Sequence, residues 1–212
     1  MIYPLAPNGI YWTIQGEGTH TGTPMAFVRL AGCSVGCAQC DTNYTASETL
    51  DAAAIWARVR EVTPPRFRAA MPWVWITGGE PTDHDLAPLC DVLATGYRIG
   101  ICTSGHNQHW TPRPAGRWRI APWVEHPGVR WISVSPHRVI SGLRGDEVKL
   151  VPGLGDLHWS DLDDTGWIGG FRYRWLQPLA GSPSELSRAV DFVHLHPGWR
   201  LSTQAHLHWG IP

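Results

Sequence analysis

Parallel βα units, arranged as an open sheet or as a whole or partial barrel, are the architecture that this sequence predicts. Two observations carry the prediction. Short β-rich runs alternate with stretches of helical period, and polar or glycine-bearing motifs follow the runs directly. The runs are Ala26 to Leu30, Val74 to Ile76, Arg98 to Cys102, Trp131 to Val134, Glu147 to Val151, Tyr173 to Leu176 and Arg200 to Ser202. Helices are expected from Asp51 to Glu61, from Asp83 to Ala94 and from Pro183 to Leu195. The last has Ser182 as its cap and Glu185 three residues on, the signature of a capping box. Between Gln108 and Gly128, Pro, Trp and Arg abound without a period, and an irregular excursion is expected there. In barrels built this way, the loops at the carboxyl ends of the strands converge on the active site. That edge gathers the cysteines after Leu30, the Thr77-Gly78-Gly79-Glu80-Pro81 run after Ile76, and Ser133-Val134-Ser135-Pro136.

The 212 residues suit one domain, 1–212, because neither an internal repeat nor a low-complexity linker divides them. A hydrophobic fraction of 43% argues against disorder, and a formal net charge of −1 provides no basic field for nucleic acid or an anionic membrane. No apolar run reaches the roughly 18 residues that a membrane span requires. Met1 to Trp12 lacks the basic region and apolar core of a secretory signal, so a cytoplasmic location is expected. Of five cysteines, three crowd into positions 33 to 40. That is a poor disulfide framework and suits a reducing compartment, where clustered thiolates hold metals. The thirteen tryptophans are expected to serve packing.

The cysteine segment reads Gly32-Cys33-Ser34-Val35-Gly36-Cys37-Ala38-Gln39-Cys40-Asp41-Thr42. Three thiolates in one tight loop suit three irons of a cubane cluster and leave the fourth iron open to a chelating molecule. A structural zinc site with His20 as fourth ligand is the competing reading, although no second Cys/His hook is visible. A redox pair of Cys37 and Cys40 would leave Cys33 unexplained. Cys90 lies in a helical run and reads as core, whereas Cys102 ends a strand on the active edge and stays ambiguous.

A CxxxCxxC loop after one strand and Gly-Gly-Glu-Pro after the next resemble the radical S-adenosylmethionine superfamily. The resemblance narrows on Tyr11-Trp12-Thr13-Ile14-Gln15-Gly16-Glu17-Gly18, Phe27-Val28-Arg29-Leu30-Ala31-Gly32-Cys33, Cys40-Asp41-Thr42, Arg200-Leu201-Ser202-Thr203-Gln204-Ala205-His206 and Gly210-Ile211-Pro212. With these the chain is similar, from first turn to last, to the 7-carboxy-7-deazaguanine synthases. The resemblance implies a partial (β/α) barrel of about six parallel strands with its active site at their carboxyl ends. It also implies a 4Fe–4S cluster on Cys33, Cys37 and Cys40, whose electron cleaves S-adenosylmethionine to a 5′-deoxyadenosyl radical. The reaction would be a lyase step of 7-deazapurine and queuosine-precursor synthesis. It converts 6-carboxy-5,6,7,8-tetrahydropterin to 7-carboxy-7-deazaguanine with loss of ammonia. An external electron donor such as flavodoxin and a homodimer belong to the same expectation.

Carried over residue by residue, the resemblance places Gly78, Gly79 and Glu80 at the methionine amino group, with Ser135 and Gln177 as further cofactor contacts. Gln15, Glu17, Arg29, His206 and the terminal carboxylate of Pro212 would hold the pterin, and Thr42 would place Mg²⁺. Plainer readings exist for several. Arg29 in an apolar strand suits a structural ion pair, Gln15 and Glu17 suit a solvated turn, and Thr42 suits a turn cap. His158, His194 and His196 read as surface or packing residues. Two departures stand out: Cys102-Thr103-Ser104-Gly105 replaces the common Glu-Thr-Asn-Gly, and His137 replaces the lysine usual after Ser-Pro. Two rival functions use some of the same residues. A glycyl-radical-enzyme activase would act on a protein partner, and a zinc-stabilised binding module would have no activity.

Overall fold

The computed structural model describes residues 1–38, 40, 42–106, 111–112, 118–119, 126–179 and 182–212. In chain order its strands are β1 (Ile2–Ile14), β2 (Pro24–Leu30), β3 (Glu48–Asp51), β4 (Trp73–Gly78), β5 (Arg98–Thr103), β6 (Thr111–Pro112), β7 (Trp118–Arg119), β8 (Val129–Val134), β9 (Glu147–Leu150), β10 (Tyr173–Leu176) and β11 (Trp199–Leu201). The helices are α1 (Ala52–Val62), α2 (Pro65–Arg68), α3 (Ala87–Leu93), α4 (Pro183–Leu195) and α5 (Ala205–Trp209). Nine strands form one sheet in the order β11-β10-β9-β8-β5-β4-β2-β1-β3, and β6 pairs with β7 apart from it. From β2 to β11 the neighbours run parallel, which makes seven parallel strands where about six were expected. The architecture is the partial barrel that the resemblance implied. Most of the expected 108–128 excursion falls outside the described residues.

Strand β1 has no counterpart in the sequence reading. Pro4, Pro7, Asn8 and Gly9 interrupt its apolar residues and hide the strand period. The structure absorbs them in a register shift between Leu5 and Ile10, with Asn8 at φ +50°, so that one strand pairs antiparallel with both β2 and β3. Helix α1 starts where expected, with the Asp51 carboxylate accepting from the Ala54 N–H at 2.7 Å. Helix α3 is shorter than the expected Asp83–Ala94. A 3₁₀ turn at Pro81–Asp83 precedes it, and Pro88 lies in its first turn, where a missing N–H costs nothing. In α4 only half of the capping box forms: Ser182 caps Glu185 N–H, but the Glu185 carboxylate accepts from Trp159 Nε1 instead.

Parallel strands are covered on both faces, and period-two alternation sorts their side chains. Val28, Leu30, Val74, Ile76, Ile99 and Ile101 pack toward α1 and α3. Val134, Val148, Leu150, Leu176 and Trp199 pack toward α4 and the 3₁₀ turns of the second half. On the opposite face Met25, Phe27 and Trp75 meet Tyr11, Trp73, Cys102 and Trp131. His20 stands edge-on to Trp73, Trp75 and Trp131, its ring 4.8, 5.2 and 4.6 Å from theirs. The tryptophans of this face are therefore packing residues, as expected.

Candidate active site

The connection between β1 and β2 does more than turn the chain. From Gln15 to Thr23 it reaches strands β9, β10 and β11, far away in the strand order. Thr19 N–H donates to Glu147 at 2.9 Å, Gly18 N–H to Ser202 Oγ at 3.3 Å, and Trp175 Nε1 to Thr19 Oγ1 at 3.2 Å. Ala205 N–H donates to Gly16 O at 3.0 Å. Gly16 lies so close to α5 that a Cβ on it would sit 2.3 Å from His206 Nδ1, so only glycine fits. This bridge carries Glu17 into the interior and sets Gln15, Glu17 and His206 beside one another. They are not parts of a solvated turn.

At the centre of the bridge Lys149 pairs with Glu17, their side chains 10% and 20% exposed. Gln177 Nε2 donates to the other Glu17 oxygen at 3.1 Å, and Ser202 Oγ donates to Gln177 Oε1 at 2.9 Å. Burial pushes the Glu17 carboxyl up, but Lys149, Gln177 and His206 outweigh it and hold it below the usual carboxylate range. Burial likewise pulls the Lys149 ammonium down, and Glu17 reverses this, so its pKa is pushed up to about 12. Sequence reasoning missed Lys149. The signal was present: in Glu147-Val148-Lys149-Leu150 two charges alternate with apolar residues, which puts both on one face of a buried strand. Cys102 faces the same interior, and burial raises its thiol to about 11 against the pull of Lys149. It stays a neutral thiol.

The cysteine loop is anchored at several points. Ala31 N–H donates to Pro4 O and Gly32 N–H to Tyr44 O, both at 2.9 Å. Ser34 donates through N–H and hydroxyl to Asp83 at 2.8 and 2.7 Å. Gly79 N–H reaches Leu30 O at 2.8 Å and Glu80 N–H reaches Gly32 O at 3.0 Å. A Cβ on Gly79 would lie 1.7 Å from Gly32 O, so the second glycine of the Gly-Gly-Glu run is required by the approach of the cysteine loop. The Glu80 carboxylate accepts from five donors: the N–H and hydroxyl of Thr82, the Thr103 hydroxyl, and the N–H and hydroxyl of Ser104, at 2.5 to 3.0 Å. It braces the ends of β4 and β5, which leaves backbone carbonyls as the groups of this run that can meet an ammonium. The side chain of Gln177 is likewise engaged with Glu17 and Ser202.

Cys33 and Cys37 are half-buried and Cys40 is exposed. Burial raises the Cys37 thiol, and Cys33 and Cys40 add to the rise, so the three sulfurs lie near enough to repel as thiolates. Among the described residues no three His, Cys, Asp or Glu side chains converge on a single-ion site. A cubane needs no such convergence, since each thiolate ligates its own iron. Ser135 Oγ is buried without a partner among the described residues, as fits a hydroxyl that awaits a bound molecule. Cys37 Sγ is in contact with His137 Nδ1. Burial raises the Tyr11 phenol, and the nearby Arg29 guanidinium from β2 opposes the rise. Thr42 is half-buried two residues past Cys40, and its carbonyl faces the Cys40 thiol. Pro212 is exposed beyond Ile211, whose N–H donates to His206 O at 3.2 Å. Cys90 is fully buried in the core, its thiol raised to about 12 by burial.

No family model matches the chain. Curated relatives match it over nearly their whole length. The 7-carboxy-7-deazaguanine synthase of Burkholderia multivorans is 31% identical, over 98% of this chain and 99% of its own. That of Escherichia coli K12 is 32% identical over 100% of both. That of Bacteroides thetaiotaomicron is 33% identical over 94% of both. The chain belongs to the 7-carboxy-7-deazaguanine synthase family. The crystal structure of QueE from Escherichia coli superimposes with a TM-score of 0.68 at 28% identity, covering 97% of this chain and 95% of that one. As a member of the synthase family the protein is a radical S-adenosylmethionine enzyme with a 4Fe–4S cluster. The activase and zinc-module readings are not favoured. No described helix is long and apolar enough to cross a membrane.

Proposed function

We propose that this protein converts 6-carboxy-5,6,7,8-tetrahydropterin to 7-carboxy-7-deazaguanine with loss of ammonia, as one domain spanning residues 1–212. The observation that carries the reading is the bridge from β1 to β11. It sets Gln15, Glu17 and His206 together on the side of the sheet where the cysteine loop, Ser135 and Gln177 leave their strands. When bound, the cluster and S-adenosylmethionine would supply the one-electron chemistry of the reaction.

The chain's own residues bind, orient and exclude water. Cys33, Cys37 and Cys40 hold three irons, and Gly78, Gly79 and Glu80 offer backbone to the methionine end of the cofactor. Ser135 gives its unpartnered hydroxyl to the same molecule, and Gln177 fixes the cofactor side against Glu17. Glu17, ionised and anchored by Lys149, has lone pairs left to accept N–H groups of the aminopyrimidinone edge. Gln15 and His206 flank it. Arg29 pairs the substrate carboxylate, Thr42 offers an oxygen to Mg²⁺, and Pro212 lies against the far side of the pterin. The low exposure of Lys149 and Glu17, 10% and 20%, limits water at this end of the site. An external one-electron donor such as flavodoxin, a homodimeric assembly and a cytoplasmic location complete the proposal.

The test is anaerobic iron reconstitution, then incubation with S-adenosylmethionine, dithionite and the carboxypterin. The expected result is a brown protein that forms 7-carboxy-7-deazaguanine and ammonia in equal amounts. S-adenosylmethionine cleavage that proceeds while the carboxypterin stays unconsumed would overturn the substrate assignment. Cys33→Ala, Cys37→Ala and Cys40→Ala should each abolish both cluster and cleavage, whereas Cys90→Ala should keep its iron.

A further inference from the structure

His137 stands where no simple positioning role accounts for it. It follows Ser135-Pro136 at the end of β8, and its Nδ1 is in contact with Cys37 Sγ. The backbone that carries it is clamped. Its carbonyl accepts from Asp156 N–H at 2.8 Å, and Gly155 packs so closely that a Cβ there would lie 2.8 and 2.9 Å from His137 O and Cβ. Pro136, buried beside it, restricts the chain further. The ring is therefore presented to Cys37 by fixed backbone, not by a wandering side chain.

The chemistry of the contact selects the tautomer. A cysteine that ligates iron is a thiolate and offers only lone pairs. The nitrogen that faces it must carry the hydrogen, which leaves Nε2 as the acceptor. Hydrogen bonds to the sulfurs are among the features that set the potential of an iron–sulfur cluster. A donor to a thiolate favours the more electron-rich, reduced state, because that state places more negative charge on sulfur.

We propose that His137 donates an Nδ1–H hydrogen bond to the Cys37 thiolate and thereby raises the reduction potential of the cluster. The inference rests on the cluster assignment to Cys33, Cys37 and Cys40. It makes the residue after Ser135-Pro136 an electronic control on the iron, separate from any binding of the pterin.

The experiment compares the reconstituted wild-type protein with His137→Leu and His137→Asn at matched iron content, without pterin, by redox titration followed through the electron paramagnetic resonance of the reduced cluster. His137→Leu removes the donor and should lower the one-electron equilibrium constant for reduction about tenfold, which is 59 mV. His137→Asn places an amide N–H near the Nδ1 position and should restore most of the difference. Pulsed measurements on the unaltered protein with ¹⁵N-labelled histidine should show one weak coupling. A strong coupling lost on adding S-adenosylmethionine would mean ligation of the open iron and would overturn the hydrogen bond. Equal midpoints in wild type and His137→Leu, or no histidine coupling, would also overturn it. Failure of the wild-type protein to hold a cluster is a different outcome: it would strike the cluster assignment itself, and is recognised by iron and sulfide content before any titration.

Discussion

Replacing Lys149 by methionine tests the bridge at its centre. Methionine keeps the length and apolar stem of the side chain but removes the charge that neutralises Glu17. The neighbours of the ammonium raise its pKa from 10.5 to about 12, which corresponds to about 2 kcal/mol in favour of the charged form. Breaking a buried ion pair costs roughly 3–5 kcal/mol because the surviving charge is stranded. Glu17 keeps the Gln177 N–H and is 20% exposed, so the lower end, about 3 kcal/mol, is the expected loss. The double variant Lys149→Met/Glu17→Gln strands nothing and should lie within about 1 kcal/mol of wild type. Anaerobic urea unfolding at matched iron content, followed by tryptophan fluorescence, measures both. The pH profile adds a second constraint. Glu17 has a lowered folded pKa, so its contribution is present above 4.5 and is lost as the pH falls through the folded value. Lys149 has a raised one, so its contribution is present below 10.5 and is lost as the pH rises through about 12. The difference between wild type and Lys149→Met should therefore be largest near neutral pH, shrink on acidification from above 4.5 because the stranded Glu17 carboxylate of the variant takes up a proton more readily, and shrink again as the pH rises past 10.5. A loss below about 1 kcal/mol, or a double variant no more stable than the single one, would refute the reasoning.

Three further outcomes follow from the same geometry. Glu80→Gln turns part of a five-donor acceptor into a donor facing Ser104 and should cost about 3 kcal/mol; a matched unfolding curve with unchanged iron uptake would contradict the bracing role. Thr42→Ala should leave iron content and S-adenosylmethionine binding intact while raising the Mg²⁺ concentration needed for half-maximal turnover, which a magnesium titration reads directly. Pro212→Gly should raise the carboxypterin KM with iron content unchanged; an unaltered KM would retire a role for Pro212.

What could be read from the sequence was what local pattern encodes. The β-rich runs after residue 24 became strands, because strand period and the polar residues that end each run are short-range signals. Asp51 and Ser182 marked true helix starts for the same reason. Strand β1 was hidden because a bulge lets a strand carry Pro7, Asn8 and Gly9, and whether a bulge forms depends on the partner strands. At the site, the cysteines, Gln15, Glu17 and His206 stood out as motifs. What the motifs could not give was partnership. That Glu80 faces Thr103 and Ser104, that Gln177 faces Glu17, and that Gly79 makes room for Gly32 are all facts of long-range packing. Cys102 shows the same limit from the other side: its position at a strand end was legible, but that it would face Lys149 across β8 was not.

The five donors gathered by Glu80 have a consequence for the life of the iron. Together with the Gly79 and Glu80 amides they tie three neighbouring loops to one another by protein atoms alone. The floor under the cysteines is therefore built before any metal arrives and survives its departure. Oxygen that strips the cluster should leave behind an intact mould and not an unravelled loop, and the same molecules should accept iron and sulfide again without passing through the unfolded state. Damage to this protein would then be a matter of supply, and its recovery would be limited by how fast new clusters are delivered.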